Sequence, residues 1–568
     1  MKLQLHLFKT FKCILFFLIG LHVTAQELEW AKQIGGNVNQ ESLDITLDAS
    51  GNIYTTGWFD GTVDFNPSGD VFNLSATGSR DVFISKLDSS GNFIWAKRFG
   101  SFGYDQAYSI DVDDSGNIYI TGWFESTVDF DPGLGEFNIT SNGGYDAFIL
   151  KLDANGDFIW AKNIGGSSYD IGYSVVGDAN GVYLTGRFQG TADFDPNASV
   201  YNLTATGLID VFTVKLSTAG DFEWATQYGT TNSNIGEAVE VDAFGNVYTL
   251  ARFKGTVDFD PSATEFNLTS FGADDIAIVK LNANGDFVWA KQMGGAGTEE
   301  PTEMVIDANG NIYTTGYFSN VADFDPSAAQ SMLTSQGSFD VFVSKLDANG
   351  DYVWAKQLGG TGSDDGKGLD VDNLGNVYLS GIFNGTLDAD PSANGFPLAS
   401  YGDDDVYVVK LDANGDFVWA THFGGVGEDL GRAVVVNKTT FDVYVTGTFE
   451  GVSDFDSSVS ETTLTSLGFT DVFIAKLSGN NLSLIDDLNA FSFDFYPNPV
   501  ANQLHIKSDS PIKGSIQILD ISGRIINSWQ LNMTGNISVL NMESLPTGTY
   551  ILNLITGTTS YSRKILKL

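Results

Sequence analysis

Cysteine is almost missing from this chain. Its 568 residues include one, Cys13, and that one falls within the first 25. Beyond it no disulfide and no thiolate metal site can form, so stability must come from packing. Histidine is nearly as scarce: only His422 and His505 lie past residue 25, too few for a histidine metal cluster, and a histidine-based triad is poorly supported. Basic residues are outnumbered, 29 Lys and Arg against 71 Asp and Glu, for a formal charge of −42. That sign argues against nucleic acid or an anionic membrane as partner and suits cations or basic proteins. The apolar run Cys13–Leu21 is too short to span a bilayer.

That run has its own reading. Lys2, Lys9 and Lys12 precede it, Val23-Thr24-Ala25 follow it, and residues 1–25 contain no acid. Basic, then apolar, then small is the order of a signal peptide, with cleavage expected near Ala25–Gln26. No lipobox precedes Cys13, so lipid anchoring is not expected. The mature chain then carries −45 and no transmembrane segment.

Glycine is abundant, 64 residues, and the turns are rich in Asp and Asn, which favours many short strands over helices. The strands recur. Trp30, Trp95, Trp160, Trp224, Trp289, Trp354 and Trp419 are spaced by 64 or 65 residues. Three other series keep a step of 64 to 66: Phe59 to Phe449 ending a strand, Asp64 to Asp454 in an acidic loop, and Asp81 to Asp471 opening a strand. Each marker occurs seven times, which means seven copies of one supersecondary unit.

In the first copy Ser42–Asp48 and Asn52–Phe59 read as one hairpin, and Asp81–Leu87 and Phe93–Phe99 as another. The connection between them carries Asp64-Phe65-Asn66-Pro67, where Pro67 stops pairing; Val71–Leu74 is at most a weak strand. The strands are apolar on both faces: Ile118, Ile120 and Phe124 share one parity, Tyr119 and Trp123 the other. Two covered faces fit sheets stacked face to face around an axis. An orphan strand, Leu28–Ile34, precedes the first copy, and the last copy stops at Asp471–Leu477 without its fourth strand. The expected fold is all-β: a seven-bladed β-propeller of four-stranded blades at 26–479, closed by the N-terminal strand, a linker at 480–490, and a small C-terminal β-sandwich at 491–568. Charge supports that last boundary, since residues 490–568 hold four acids and six bases.

The repeat, with its pattern WAKxxGG…VDxxGNxYxTG…DxFxxKLxxxG, resembles the bacterial β-propeller repeat of the SBBP type. That resemblance implies a secreted or surface-exposed propeller and no established reaction. The C-terminal stretch resembles the sorting domain of the type IX (Por) secretion system of Bacteroidetes, on Tyr496-Pro497-Asn498-Pro499-Val500, Ile518-Leu519-Asp520-Ile521-Ser522-Gly523-Arg524, Leu545-Pro546-Thr547-Gly548-Thr549-Tyr550 and the basic end Lys564–Leu568. It implies engagement of that machinery, export across the outer membrane, and release or attachment at the cell surface.

Candidate sites fall into two sets. The acidic loops pair Asp129 with Asp131, Asp193 with Asp195, Asp258 with Asp260 and Asp323 with Asp325. On the same expected rim lie Glu41, Asp105, Asp170, Glu237, Glu299, Asp364 and Asp429. Clustered oxygens suit calcium, the one cofactor to consider; the alternative is that these aspartates cap loop amides. The second set is where the copies disagree. The position before the strand-ending Phe reads Trp58, Trp123, Arg187, Arg252, Tyr317, Ile382 and Thr448. Aromatics and arginines there suit a glycan or protein ligand; packing between blades is the bland alternative. Carboxylates are too numerous to single out a catalytic pair. The expected function is a non-enzymatic binding or scaffold module, against a polysaccharide-degrading enzyme using rim carboxylates or a purely structural, calcium-stabilised surface protein.

Overall fold

The computed structural model describes residues 27–456, 461–479, 493–496, 499–508, 512–519, 525–533, 537–543, 545–556 and 559–568. Residues 1–25, the 480–490 stretch, and Pro497, Asn498, Asp520, Gly523 and Arg524 lie outside them. Every regular element among the described residues is a strand, and no helix is long and apolar enough to cross a membrane. The chain divides into two compact units, residues 1–480 and 481–568.

In the first unit four-stranded antiparallel sheets recur. The second repeat shows the order: Asp105–Val112, Ile118–Phe124, Asp146–Leu152 and Phe158–Gly166, each hydrogen-bonded to the next. The last run, Leu430–Val436, Val443–Asp454 and Thr463–Leu477, takes its fourth strand from the other end of the chain. Leu28–Gly36 lies against Thr463–Leu477, with Ala31 opposite Ala475 and Ile34 opposite Val472. Side chains repeat this register. Gln292 Nε2 donates to Asp275 at 2.7 Å inside one repeat, and Gln33 Nε2 donates to Asp471 at 2.5 Å across 438 residues of chain.

The two-faced apolar strands are buried throughout, as in Ile53–Phe59 and Asp81–Leu87. Their side chains meet those of the neighbouring sheet: Tyr54, Val82 and Ile84 pack with Ile118, Ile120 and Phe148. Tyr444, Val472 and Ile474 of the last sheet pack with Ile53, Phe59 and Phe83 of the first.

Several invariant residues serve this frame. Asp146 accepts hydrogen bonds from Asn142 N at 2.9 Å and Asn163 Nδ2 at 3.0 Å. The first glycine of the Gly-Gly pair lies flat on that carboxylate, since a Cβ on Gly165 would stand 2.5 Å from Asp146 Cγ. We therefore expect Gly165→Ala to cost about 2 kcal/mol by overpacking, read as a lowered thermal midpoint. The third-strand lysines lie over second-strand tyrosine rings in every repeat, from Lys86 over Tyr54 at 4.6 Å to Lys476 over Tyr444 at 5.6 Å. They act as covers for apolar rings rather than as a binding patch. Three outer-strand tryptophans, Trp160, Trp224 and Trp354, tie one repeat to the next, as where Trp354 Nε1 donates to Ala413 O at 3.2 Å. Gly156 takes φ 78°, and a Cβ there would come within 3.1 Å of the Trp95 ring, so both conformation and close approach demand glycine.

Each repeat also has something the sequence reading underestimated. The strand expected weakly at Val71–Leu74 is Asn73–Ser75, and it pairs with Thr62–Asp64. Pro67 sits in the loop between them, where it interrupts nothing. This small ribbon continues the outer strand of the repeat before it, with Gly35 opposite Asp64.

The second unit has a sheet of Phe493–Tyr496, Gln503–Ser508 and Ile537–Asn541 and a sheet of Ile525–Met533, Ile512–Leu519, Gly548–Thr556 and Thr559–Lys567. Leu504, Ile506 and Leu540 of the first share a core with Ile516, Ile518, Leu552 and Ile565 of the second. Tyr550 OH donates to Pro546 O at 2.9 Å and pins the Leu-Pro-Thr-Gly-Thr-Tyr turn. Gly548 opens the strand that carries Tyr550, and exposed Pro499 leads into buried Val500. Val500 N donates to Leu566 O at 2.7 Å and Leu568 N to Val500 O at 2.9 Å, so the two ends of the sorting motif meet.

Candidate functional site

The first strand of every repeat carries a β-bulge at the same place. In the second repeat the register slips between Ala107 and Ser109, which leaves Tyr108 unpaired. The residues so displaced are Leu43, Tyr108, Tyr173, Glu237, Thr302, Lys367 and Arg432. A bulge re-aims its side chain out of the ladder, and all seven line one cavity of about 750 Å³. The frame around them repeats, while at this position only Tyr occurs twice.

Along the cavity wall, side chains knit four of the first strands to the next. Asp44 accepts Ile45 N at 2.7 Å and, from the following repeat, Ile110 N at 2.8 Å. Asp111 accepts Gly177 N at 2.8 Å, Ser174 Oγ accepts Val239 N at 3.1 Å, and Asp370 accepts Val436 N at 2.8 Å. Burial outweighs those amides, pushing Asp44 up to about 7 and Asp111 to about 6; it also pushes Glu303 to about 8, helped by the nearby Asp44 charge.

The mouth is divided chemically. One side is charged. Arg252 Nε meets Glu237 Oε1 at 3.0 Å and its Nη1 meets Glu300 Oε2 at 2.7 Å. Lys367 meets Asp365 at 3.3 Å and stands 5.1 Å from the Tyr317 ring centre. Arg432 is paired with Glu41, whose other oxygen accepts Trp58 Nε1 at 3.0 Å. Arg80 stacks 3.4 Å above the Trp58 ring. The other side is aromatic. Tyr108 and Tyr173 have ring centres 4.9 Å apart, Trp123 and Tyr145 4.5 Å, and Tyr145 and Tyr169 4.7 Å. Arg187 lies 5.8 Å from the Tyr173 ring.

The residues singled out from sequence, Trp58, Trp123, Arg187, Arg252 and Tyr317, therefore sit on second strands beside this mouth. Six of the seven bulge residues they flank, all but Glu237, escaped the sequence reading. The legible signal was a first-strand position that changes chemistry from copy to copy, but an unseen bulge hides which way it points. Ala251 stands where the other copies have glycine. It lies directly opposite Ala277, which replaces the aromatic found there in other copies and leaves space for the methyl group.

Two assignments in the rim-acid series are corrected. The positions equivalent to Asp105 are Gln40 and Asn234, not Glu41 and Glu237; Glu41 lies opposite Trp58 and Glu237 is a bulge residue. The series itself is buried: Asp105, Asp170, Glu299 and Asp364 are fully enclosed and Asp429 is 1 % exposed. Asp170 accepts Gly166 N at 2.7 Å and Gln189 N at 3.1 Å.

The acidic loops use their aspartates on amides. Asp129 Oδ1 accepts Asp131 N at 3.1 Å and Phe137 N at 2.7 Å, and Asp131 Oδ1 accepts Gly133 N at 2.8 Å. Asp193 with Asp195, Asp258 with Asp260 and Asp323 with Asp325 repeat this arrangement. Asn66 Oδ1 makes the Asp131-type bond, to Ser68 N at 2.8 Å, without a charge. Among the described residues no group of three or more His, Cys, Asp or Glu is arranged to hold a metal ion. On the other rim Asp153 likewise accepts Asn155 N at 2.8 Å and Asp157 N at 3.0 Å in its turn. We expect Asp258→Ala to lower the thermal midpoint by the equivalent of about 1 kcal/mol through loss of the cap. Calcium or a chelator should leave the wild-type midpoint unchanged in calorimetry.

Comparison with known proteins covers both units. Residues 494–567 match the family described as the secretion system C-terminal sorting domain. Residues 94–123, 288–325 and 353–381 match the family described as the beta-propeller repeat, SBBP. An uncharacterized WD repeat-containing protein of Acanthamoeba polyphaga mimivirus is 25% identical over 510 residues, covering 74% of this chain and 36% of its own length. The regulatory protein FlaEY of Caulobacter vibrioides is 24% identical over 426 residues, covering 69% of this chain and 42% of its own. The chain thus spans well under half the length of these curated relatives. The extracellular domain of a hybrid two-component system from B. thetaiotaomicron aligns over 94% of this chain and 99% of its own, at 9% identity and a TM-score of 0.19.

Proposed function

We propose, for a chain that carries SBBP β-propeller repeats and the sorting domain that directs type IX export to the cell surface or extracellular space, that it is a binding module whose ligand sits across the mouth of the cavity. The ligand is a glycan or a protein, held without turnover. One observation carries this reading: the seven displaced bulge residues face one cavity and vary, while the residues that build the frame repeat. Symmetry is kept where packing needs it and lost where a ligand would be touched. Exposed Phe102, Tyr104, Tyr169, Leu208, Phe271 and Tyr401 on the adjoining connections extend the surface available for contact.

The frame behind this reading is a closed seven-bladed ring at 26–479. Its supports are the pairing of Leu28–Gly36 with Thr463–Leu477, the packing of the last sheet on the first, and a cavity lined by all seven first strands. Export proceeds in two steps in this proposal, by the leader at 1–25 and then the sorting domain at 491–568.

The test is a binding screen of the full-length protein against extracellular polysaccharides and surface proteins, followed by Tyr108→Ala and Lys367→Ala. Each is expected to weaken binding at least about tenfold, as for hot-spot side chains, with thermal midpoints unchanged. Binding that neither substitution alters would place the ligand elsewhere, and release of products from a bound polysaccharide would make the protein an enzyme.

A further inference from the structure

We propose that the aromatic side of the mouth takes a sparsely charged acidic saccharide, with Arg187 on a sugar carboxylate and Tyr173 beneath a sugar ring. This rests on the mouth being the binding site and names its ligand class.

The starting point is an imbalance of charge. Arg252, Lys367 and Arg432 at the mouth each meet a carboxylate. Arg187 has no carboxylate within ion-pair distance among the described residues, in a chain of net charge −42. Glu237 is the acid that feels its field, and a Glu237 oxygen is already engaged by Arg252 at 3.0 Å. A guanidinium left open at a cavity mouth presents a fork of donors matched to a carboxylate.

What surrounds it is flat and held in place. Arg187 pairs across the ladder with Ile171, two residues before the bulge residue Tyr173. The Tyr173 ring centre stands 4.9 Å from that of Tyr108, and the Trp123 indole lies close enough to the Tyr108 hydroxyl to favour its ionised form against burial. Trp123 in turn packs on Tyr145, and Tyr145 on Tyr169. Rigid rings of this kind present large apolar faces at low entropic cost, and a sugar ring offers such a face in return.

The charged side decides between a saccharide and an acidic peptide. Glu41, Glu237, Glu300 and Asp365 surround the remaining mouth and are engaged by cations or an indole. Their unused lone pairs suit hydroxyl donors and repel further anions. Sugar hydroxyls donate as well as accept, so a chain with one carboxylate among neutral rings satisfies both halves. A densely sulfated chain or an acidic peptide meets repulsion over half the mouth.

The experiment is titration calorimetry of the full-length protein with four probes: an aldotetraouronic acid, its methyl ester, xylotetraose and a heparin oligosaccharide. An oligogalacturonate and an acidic peptide complete the set. Binding of the aldotetraouronic acid is expected, about tenfold weaker on esterification and with Arg187→Ala or Tyr173→Ala, and the oligogalacturonate, with a carboxylate on every ring, should bind more weakly than this sparse acid. Arg187→Lys should recover part of the loss, and heparin should bind more weakly than the sparse acid. Equal binding of acid and ester, or binding weakened by Lys367→Ala but not by Arg187→Ala, overturns the acidic-sugar inference and leaves the mouth as the site. Failure of the aldotetraouronic acid, or preference for the oligogalacturonate or the peptide, also overturns it. Binding that no mouth substitution alters overturns both readings.

Discussion

Deleting Leu28–Gly36 should abolish the cooperative thermal transition of the repeat unit, and a synthetic peptide of those residues added in trans should restore it. The strand contributes six paired positions against Thr463–Leu477. Without it the last sheet exposes a ladder edge and loses Gln33 from the buried Asp471, whose carboxylate is otherwise met by Leu467 N and Gln40. Ile34, 1 % exposed, also leaves the core it shares with Phe59, Phe83 and Val472. Truncation of that side chain alone, Ile34→Ala, should cost about 3 kcal/mol. The deletion removes this, the ladder and the carboxylate's partner together. In an open array the same deletion would fray one end and leave the bulk of the transition in place. A calorimetric trace unchanged in midpoint and enthalpy would therefore sink the closed-ring reading.

Stability should fall between pH 5 and pH 8, against the common pattern of acid destabilisation. Burial pushes Asp105, Asp170, Asp364 and Asp405 up to about 7 and Glu299 to about 8. Asp44, Asp111 and Glu303 in the cavity wall are raised for the same reason. A carboxyl whose folded pKa exceeds its unfolded value binds more protons when folded. Its stabilisation is complete below about pH 4 and is lost as pH rises through its folded pKa, here between about 6 and 8. Mutual repulsion in so acidic a chain adds to the same slope. The turn aspartates work the other way. Burial raises Asp48 and Asp242, but their Asn and amide donors outweigh it and hold both below the ordinary value. Their contribution is present above about pH 4 and is lost as pH falls below it. The midpoint should therefore peak near pH 5 and drop by at least about 5 °C by pH 8, with Asp44→Asn flattening the slope. A midpoint that is constant or rises over that range would contradict these assignments.

The period, the strand content and the sorting domain were legible because each is written in local chemistry. Tryptophan, glycine and aspartate recur at one step since every copy solves the same packing problem: a ring over the next turn, a glycine against a carboxylate, a lysine over a tyrosine. The choice between capping and calcium in the acidic loops was not legible, because Asp-x-Asp spacing serves both. The folded loop adds that Asp129 Oδ1 accepts Asp131 N and Phe137 N.

The mouth depended still more on tertiary structure. Sequence alone determined that this is a repeated all-β chain with an export signal at its C-terminal end, and that its copies differ at a few positions such as Arg187 and Arg252. It did not determine that Arg252 is held by Glu237 and Glu300 while Arg187 is not, since those partners come from a bulge and from the neighbouring repeat. A bulge shifts a side chain by one residue of a two-residue period, so it reverses the face that pattern reading assigns. Seven such reversals turn Leu43, Tyr108, Tyr173, Glu237, Thr302, Lys367 and Arg432 into the cavity, and only the folded sheets bring them together.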